Sequence, residues 1–200
     1  MIVKINKEMP NDRFIKLAAK VLNEDGVIVY PTDTVYGLGC SIFSKKGIEE
    51  IERIKGREKK KPMSFICQSL SDASKYTRLT NFAYKIMKHA LPGPYTFILE
   101  ASKTVPKILQ SKRKTVGIRI PDSTICMAIL REFGSPIIST SANLSSQPEL
   151  SDIYDIERAF NTQVKLYIDA GNLVSDPSTI VSLINDKIEV IREGKGKIDF

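Results

Sequence analysis

Short apolar runs of strand character alternate with helix-period segments along the whole chain, and that alternation confines the fold to an α/β or α+β domain. The strand-like runs are VIVY (27–30), MSFIC (63–67), YTFILEA (95–101), TVGIRI (115–120), IIST (137–140), VKLYID (164–169), STIVSLI (178–184) and KIEVIRE (187–193). Between them, Phe14, Leu17, Ala18, Val21 and Leu22 share one helical face after a cap at Asn11 or Asp12. Gly26 is expected to end that helix. Ile48, Ile51 and Ile54 point inward from a helix over 45–55. Thr80 starts a helix carrying Phe82, Ala83, Ile86, Met87 and Ala90, broken at Pro92-Gly93-Pro94. Ile125, Ala128, Ile129 and Phe133 mark another, closed by Gly134. Asn185-Asp186 has the composition of a hairpin turn. Crossovers and a hairpin together predict a mixed sheet. With 200 residues and no repeat or low-complexity linker, one domain spanning 1–200 is expected.

The net charge is +7, which favours anionic partners such as nucleotides, RNA or acidic membrane surfaces. Cys40, Cys67 and Cys126 are odd in number and far apart, which argues against a disulfide framework. There is no CxxC pair and His89 is the sole histidine, so no structural zinc site is expected. The thiols suit a reducing cytoplasm. No apolar run approaches the length of a membrane span. The opening residues carry acids and a proline within a short apolar start, so a signal peptide is not expected.

Four segments combine residue types that bind anions or polar ligands. The first is Pro31-Thr32-Asp33-Thr34-Val35-Tyr36-Gly37-Leu38-Gly39, directly after a buried strand, where open α/β sheets place their ligands. The same composition also suits a strand-ending turn with an Asx-type hydrogen bond and glycines at positive φ. The second is Lys55-Gly56-Arg57-Glu58-Lys59-Lys60-Lys61-Pro62, which can bracket a triphosphate or form a solvated surface run. The third centres on Arg119, a lone cation in an apolar strand. A buried guanidinium needs an anion, supplied by an internal acid or by a ligand carboxylate. The fourth is Ser139-Thr140-Ser141-Ala142-Asn143, able to bind phosphate oxygens or to cap a helix. Asp176-Pro177-Ser178-Thr179 and Arg192-Glu193-Gly194 follow near the end.

A P-loop GxxxxGK[ST], a Rossmann GxGxxG and a GxSxG elbow are all missing. One histidine leaves little room for a Ser-His-Asp triad. The remaining set of hydroxyls, cations and turns suits chemistry run by positioning and charge neutralisation, with no protein nucleophile.

In order, PTDTVYGLG, KGR followed by KP, LPGPYTFIL, TVGIRIP, STSAN, PSTIV and VIREG resemble the YrdC-like family of threonylcarbamoyl-AMP synthases, from about Val27 to Gly194. SFIC, YTFIL and SKRKTVGIR lean towards the family's YciO branch, whereas the intact STSAN is closer to the synthases. Glu58 replaces the family's usual proline, and PMSFIC lacks its usual histidine. With its end near Phe200, the chain is expected to lack the extra C-terminal domain of longer members.

The resemblance implies a twisted mixed β-sheet with flanking helices around a basic concave groove. It implies a nucleotidyltransferase making threonylcarbamoyl-AMP and pyrophosphate from L-threonine, bicarbonate and ATP, with magnesium accompanying ATP. The product would feed tRNA-modifying transferase proteins that form N6-threonylcarbamoyladenosine. By position, Thr32, Thr34, Arg119, Ser139 and Ser178 would hold threonine. Lys55, Arg57, Lys59, Thr115, Ser141, Asn143 and Arg192 would face the nucleotide. The competing implication is a YciO-branch protein binding nucleotide or double-stranded RNA, with weak or different activity.

Overall fold

The computed structural model describes residues 1–56, 63–109, 114–145, 147–160, 163–174 and 176–199. Ten strands form one continuous mixed sheet in the order β1-β8-β2-β3-β7-β4-β6-β5-β9-β10. They are β1 (Ile2–Lys4), β2 (Ile28–Tyr30), β3 (Gly37–Ser41), β4 (Ser64–Ile66), β5 (Tyr95–Glu100), β6 (Thr115–Arg119), β7 (Ile137–Ser141), β8 (Leu166–Asp169), β9 (Thr179–Ser182) and β10 (Glu189–Arg192). The helices are α1 (Asp12–Asn23), α2 (Lys45–Lys55), α3 (Leu70–Ser74), α4 (Asn81–Ala90), α5 (Thr124–Phe133) and α6 (Ile153–Phe160).

The caps follow from the sequence. Asn11, Ser44, Thr80 and Ser123 each accept a backbone N–H of the following helix through their side chains. Gly56 and Gly134 end α2 and α5 in the left-handed conformation. Asn185 and Asp186 both take positive φ, as a tight turn into β10 requires.

Three local expectations change. Asp25, not Gly26, takes the left-handed position after α1. Gly26 instead lies where an added Cβ would meet Val21 Cγ1 at 2.5 Å, so close approach decides it. Gly37 and Gly39 are not positive-φ turn residues. They lie within β3, under the ring of Tyr30, where a Cβ on either would come within 3.0 Å of that ring. STSAN caps no helix and turns at the end of β7.

Strand alternation sorts the core into two faces. Val29, Leu38, Phe65, Val116, Ile118, Ile138, Phe97 and Val181 face α2, α4 and α6. Ile28, Tyr30, Ile66, Ile137, Leu166 and Ile168 face α1 and α5. That second cluster takes no residue from β5, β6 or β9. The sheet face over those strands is therefore free of helix among the described residues, and it carries the cavity described next.

Candidate active site

One cross-strand row runs Gly39, Ser139, Ser64, Gly117, Ile98 and Ser182, each paired with the next. Small and hydroxyl residues at all of these positions but Ile98 leave the helix-free face hollow. At Gly117 a Cβ would meet Ser64 Oγ at 3.0 Å and Thr96 Cγ2 at 3.2 Å, so glycine makes room there for two side chains that line the cavity. The resulting cavity of about 170 Å³ is lined by Ser64, Thr96, Arg119, Ser139, Ser178 and Arg192, among others.

Arg119 is buried at one end of this cavity. Its Nη2 has three acceptors in range, Asp33 Oδ1 at 2.5 Å, Thr34 Oγ1 at 2.6 Å and Thr32 Oγ1 at 3.2 Å, which share its two hydrogens. β2 and β6 are separated by several strands in the sheet order. At a spacing of ~4.8 Å per strand, a flat sheet would hold them far apart. The loop 31–36 reaches Arg119 because the twisted sheet curls and the loop folds back over it. Thr32 Oγ1 donates to the Val35 carbonyl at 2.6 Å, so its lone pairs are turned to Arg119. The other Asp33 oxygen accepts Asp122 N–H at 3.2 Å. Among the described residues Arg119 Nε is buried with no partner. The internal ion pair and a buried donor without a partner among the described residues thus occur on the same guanidinium.

The opposite wall comes from the C-terminal strands. Arg192 Nη2 donates to the Ser178 carbonyl at 2.7 Å, and Thr96 and Ser178 share a hydroxyl contact at 2.8 Å. Partial burial first, and the charge of Arg119 after it, pull the Arg192 guanidinium below its usual pKa, with Glu149 opposing. Lys195 Nζ donates to the Asp33 carbonyl at 2.5 Å.

The twelve residues singled out from the sequence separate by position. Arg119, Ser139, Ser141, Ser178 and Arg192 line the cavity. Thr32 and Thr34 hold Arg119 and line an adjoining cavity of about 630 Å³ with Asp33. Lys55 and Asn143 are buried one layer behind Ser141. Lys55 Nζ donates to the Ser141 carbonyl at 2.7 Å and to Asn143 Oδ1 at 2.9 Å. Thr115 lies two pleats along β6 from Arg119, on the same face but outside the cavity. Arg57 and Lys59 lie outside the described residues.

Sequence reasoning passed over Ser64, Thr96, Gly117 and Tyr30 as strand interior. The signal was there at period two: a hydroxyl or glycine alternates with Phe65, Phe97 and Ile118. Burial pushes the Cys126 thiol up to about 12, and Cys40 and Cys67 upward too. None of these buried thiols is a nucleophile at neutral pH. Among the described residues no group of three or more His, Cys, Asp or Glu is placed to hold a metal ion.

The Sua5/YciO/YrdC family model, described as "Telomere recombination", matches residues 20–194. The chain belongs to this family. It is 40% identical to the uncharacterised YciO protein of Escherichia coli K12, covering 97% of this chain and 95% of that protein. The crystal structure of E. coli YciO superposes with a TM-score of 0.94, at 39% identity, over 98% of this chain and 97% of that one. A threonylcarbamoyl-AMP synthase of Hydrogenovibrio crunogenus is 36% identical, covering 83% of this chain and 91% of that protein. Pyrococcus abyssi Sua5, solved in complex with L-threonine, superposes with a TM-score of 0.91 at 26% identity, over 97% of this chain and 57% of that chain. The family therefore includes enzymes that make threonylcarbamoyl-AMP, and this chain is related to them. No helix among the described residues is long and apolar enough to cross a membrane.

Proposed function

We propose that this chain is an L-threonylcarbamoyladenylate synthase, a nucleotidyltransferase that forms threonylcarbamoyl-AMP and pyrophosphate from L-threonine, bicarbonate and ATP. The observation that carries the reading is the buried Arg119, whose Nε has no partner among the described residues while Nη2 is fixed by Asp33, Thr32 and Thr34. A carboxylate entering the cavity meets a charged donor already held in place, so little side-chain entropy is lost on binding. Ser139 and Ser178 offer hydroxyls to the rest of a small polar substrate.

The nucleotide is assigned to the Ser141–Asn143 turn, braced by Lys55, and to Arg192. The threonine amine adds to the bicarbonate carbon, a C–O bond breaks and water leaves, which gives a carbamate. Its oxygen attacks the α-phosphate, the P–O bond to the β-phosphate breaks, and pyrophosphate leaves. The residues here orient both reactants and offset phosphate charge. Magnesium would travel with ATP as its phosphate counter-ion. The product would serve tRNA-modifying transferases in the cytoplasm, the compartment that the three free, buried cysteines suit.

Incubation with ATP, threonine, bicarbonate and magnesium should release pyrophosphate only when threonine and bicarbonate are both present. A threonylcarbamoyl adenylate should appear by mass. Equal pyrophosphate release without threonine would sink the reading. The 40% identity to YciO favours one second reading, a nucleotide- or RNA-binding protein of that branch. Salt-sensitive binding of double-stranded RNA with no threonine-dependent ATP consumption would select it.

Filling the cavity floor provides a separate check. Gly117→Val puts methyls over Ser64 and Thr96 in a strand that favours β-branched residues. Threonine affinity should fall more than about tenfold, or ~1.4 kcal/mol, while the far-UV spectrum stays unchanged. Undiminished affinity would place the substrate elsewhere.

A further inference from the structure

We infer that Tyr30 is a positioning residue that fixes the Ser139 hydroxyl as a hydrogen-bond donor aimed into the cavity. The inference rests on the cavity being the carboxylate site proposed above. Tyr30 Oη lies 2.7 Å from Ser139 Oγ, and the contact is buried. Tyr30 is wholly inaccessible, and Ser139 lines the cavity.

Two hydroxyls at that distance can share one hydrogen in either direction, and burial decides between them. If Ser139 donated, the Tyr30 proton would be left inside an apolar cluster, because no other acceptor faces it among the described residues. That orphan proton is costly. If Tyr30 donates, the Ser139 proton is released to the cavity, where water or a ligand accepts it. The second arrangement wins. Tyr30 stays protonated in doing so, since burial pushes its phenol far above the usual tyrosine range.

The consequence concerns specificity. A serine hydroxyl ordinarily rotates between giving and taking a hydrogen bond. Here one lone pair is occupied by Tyr30, and the O–H is polarised by that bond, which strengthens it as a donor. Arg119 lines the same cavity and brings its positive charge beside that hydroxyl. A hydroxyl donor next to a guanidinium selects an anionic or carbonyl oxygen and disfavours a ligand amine there. Gly37 and Gly39 serve the same device. A Cβ on Gly37 would meet Tyr30 Cζ at 2.9 Å, and one on Gly39 would meet Tyr30 Cε1 at 3.0 Å, so glycine lets the ring lie flat across β3 to reach β7.

The test is a double-mutant cycle on Tyr30→Phe and Ser139→Ala, read twice. Without ligand, Ser139→Ala orphans a buried hydroxyl. Adding Tyr30→Phe removes the orphan and should raise the melting temperature of Ser139→Ala by about 2–4 °C. No rise, or a further fall, would overturn the pairing of the two hydroxyls on which the positioning role rests. With L-threonine as the probe, Tyr30→Phe should weaken binding about three- to tenfold when Ser139 is intact. It should change nothing in a protein that already carries Ser139→Ala. A packing role for Tyr30 predicts the same loss in both backgrounds, and that result would overturn the positioning role. If the parent protein binds no threonine while the melting temperatures behave as stated, the substrate reading fails and the hydroxyl assignment stands.

Discussion

Arg119→Ala is expected to abolish threonine binding and to cost about 3–5 kcal/mol of stability at neutral pH. Both losses come from one guanidinium with two duties. Arg119 and Asp33 form an ion pair at 2.5 Å with side chains 9% and 8% exposed. Removing the arginine leaves the carboxylate buried beside two threonine hydroxyls and the Asp122 N–H, with its ion-pair partner gone. A buried pair of this kind gains little over an apolar isostere, yet breaking it on one side is expensive.

The two duties separate in the double variant Arg119→Ala with Asp33→Asn. Neutralising the stranded carboxylate should restore about half of the lost stability, because an amide in that place still accepts the Asp122 N–H. Threonine binding should stay absent, because the guanidinium is gone. Chemical denaturation and calorimetric threonine titration on the four proteins of the cycle measure this. Recovery of threonine binding in the double variant would mean that Arg119 only offsets Asp33 and touches no substrate.

Arg119 was legible in the sequence because a lone cation in TVGIRI demands an anion, although the sequence left open which one. The structure supplies the internal acid, since Nη2 meets Asp33, and leaves Nε without a partner among the described residues. The helices were legible where caps and apolar period agree, as in α2 and α5. β3 was not legible. GLGCS has little intrinsic preference for a strand, and what makes it one is tertiary: Tyr30 covers its glycines and β7 pairs its far side. α6 carries Ile153, Ile156 and Phe160 at helical spacing, but a short helix within a long polar stretch gives a weak signal. β1 is three residues long and is held by pairing to β8, a partner near the other end of the chain.

The cavity floor was illegible for a further reason. Ser64, Thr96 and Gly117 each sit in a different strand, and only the register sets them side by side or in contact. Local patterning shows that one face of each strand is less apolar. It does not show that the three faces meet, nor that the covering helices stop short of them.

Lys55→Met should weaken ATP binding by one to two powers of ten, roughly 1.4–2.8 kcal/mol, by loosening a turn more than by deleting a phosphate contact. The basic run 55–62 invites the opposite expectation, of cations aimed at phosphate. Lys55 is 4% exposed, and its ammonium donates to the Ser141 carbonyl and to Asn143 Oδ1. Its own carbonyl accepts Ser145 N–H at 3.1 Å. Asn143 Oδ1 also accepts the Ser141 hydroxyl at 2.6 Å, and Asn143 Nδ2 donates to the Gln147 carbonyl at 2.5 Å. The last residue of α2 therefore ties together the turn that presents Ser141 to the cavity. Hydrogen bonds from a charged donor are worth about 1.5–3 kcal/mol each, and methionine keeps the aliphatic packing while losing them. Two measurements separate a brace from a direct phosphate ligand. A brace shared with Asn143 predicts that Lys55→Met and Asn143→Ala together cost barely more than either alone. It also predicts that the salt dependence of ATP binding stays as it is in the parent protein, because no phosphate contact has been removed. Additive losses with a shallower salt dependence would instead put the Lys55 ammonium on the nucleotide.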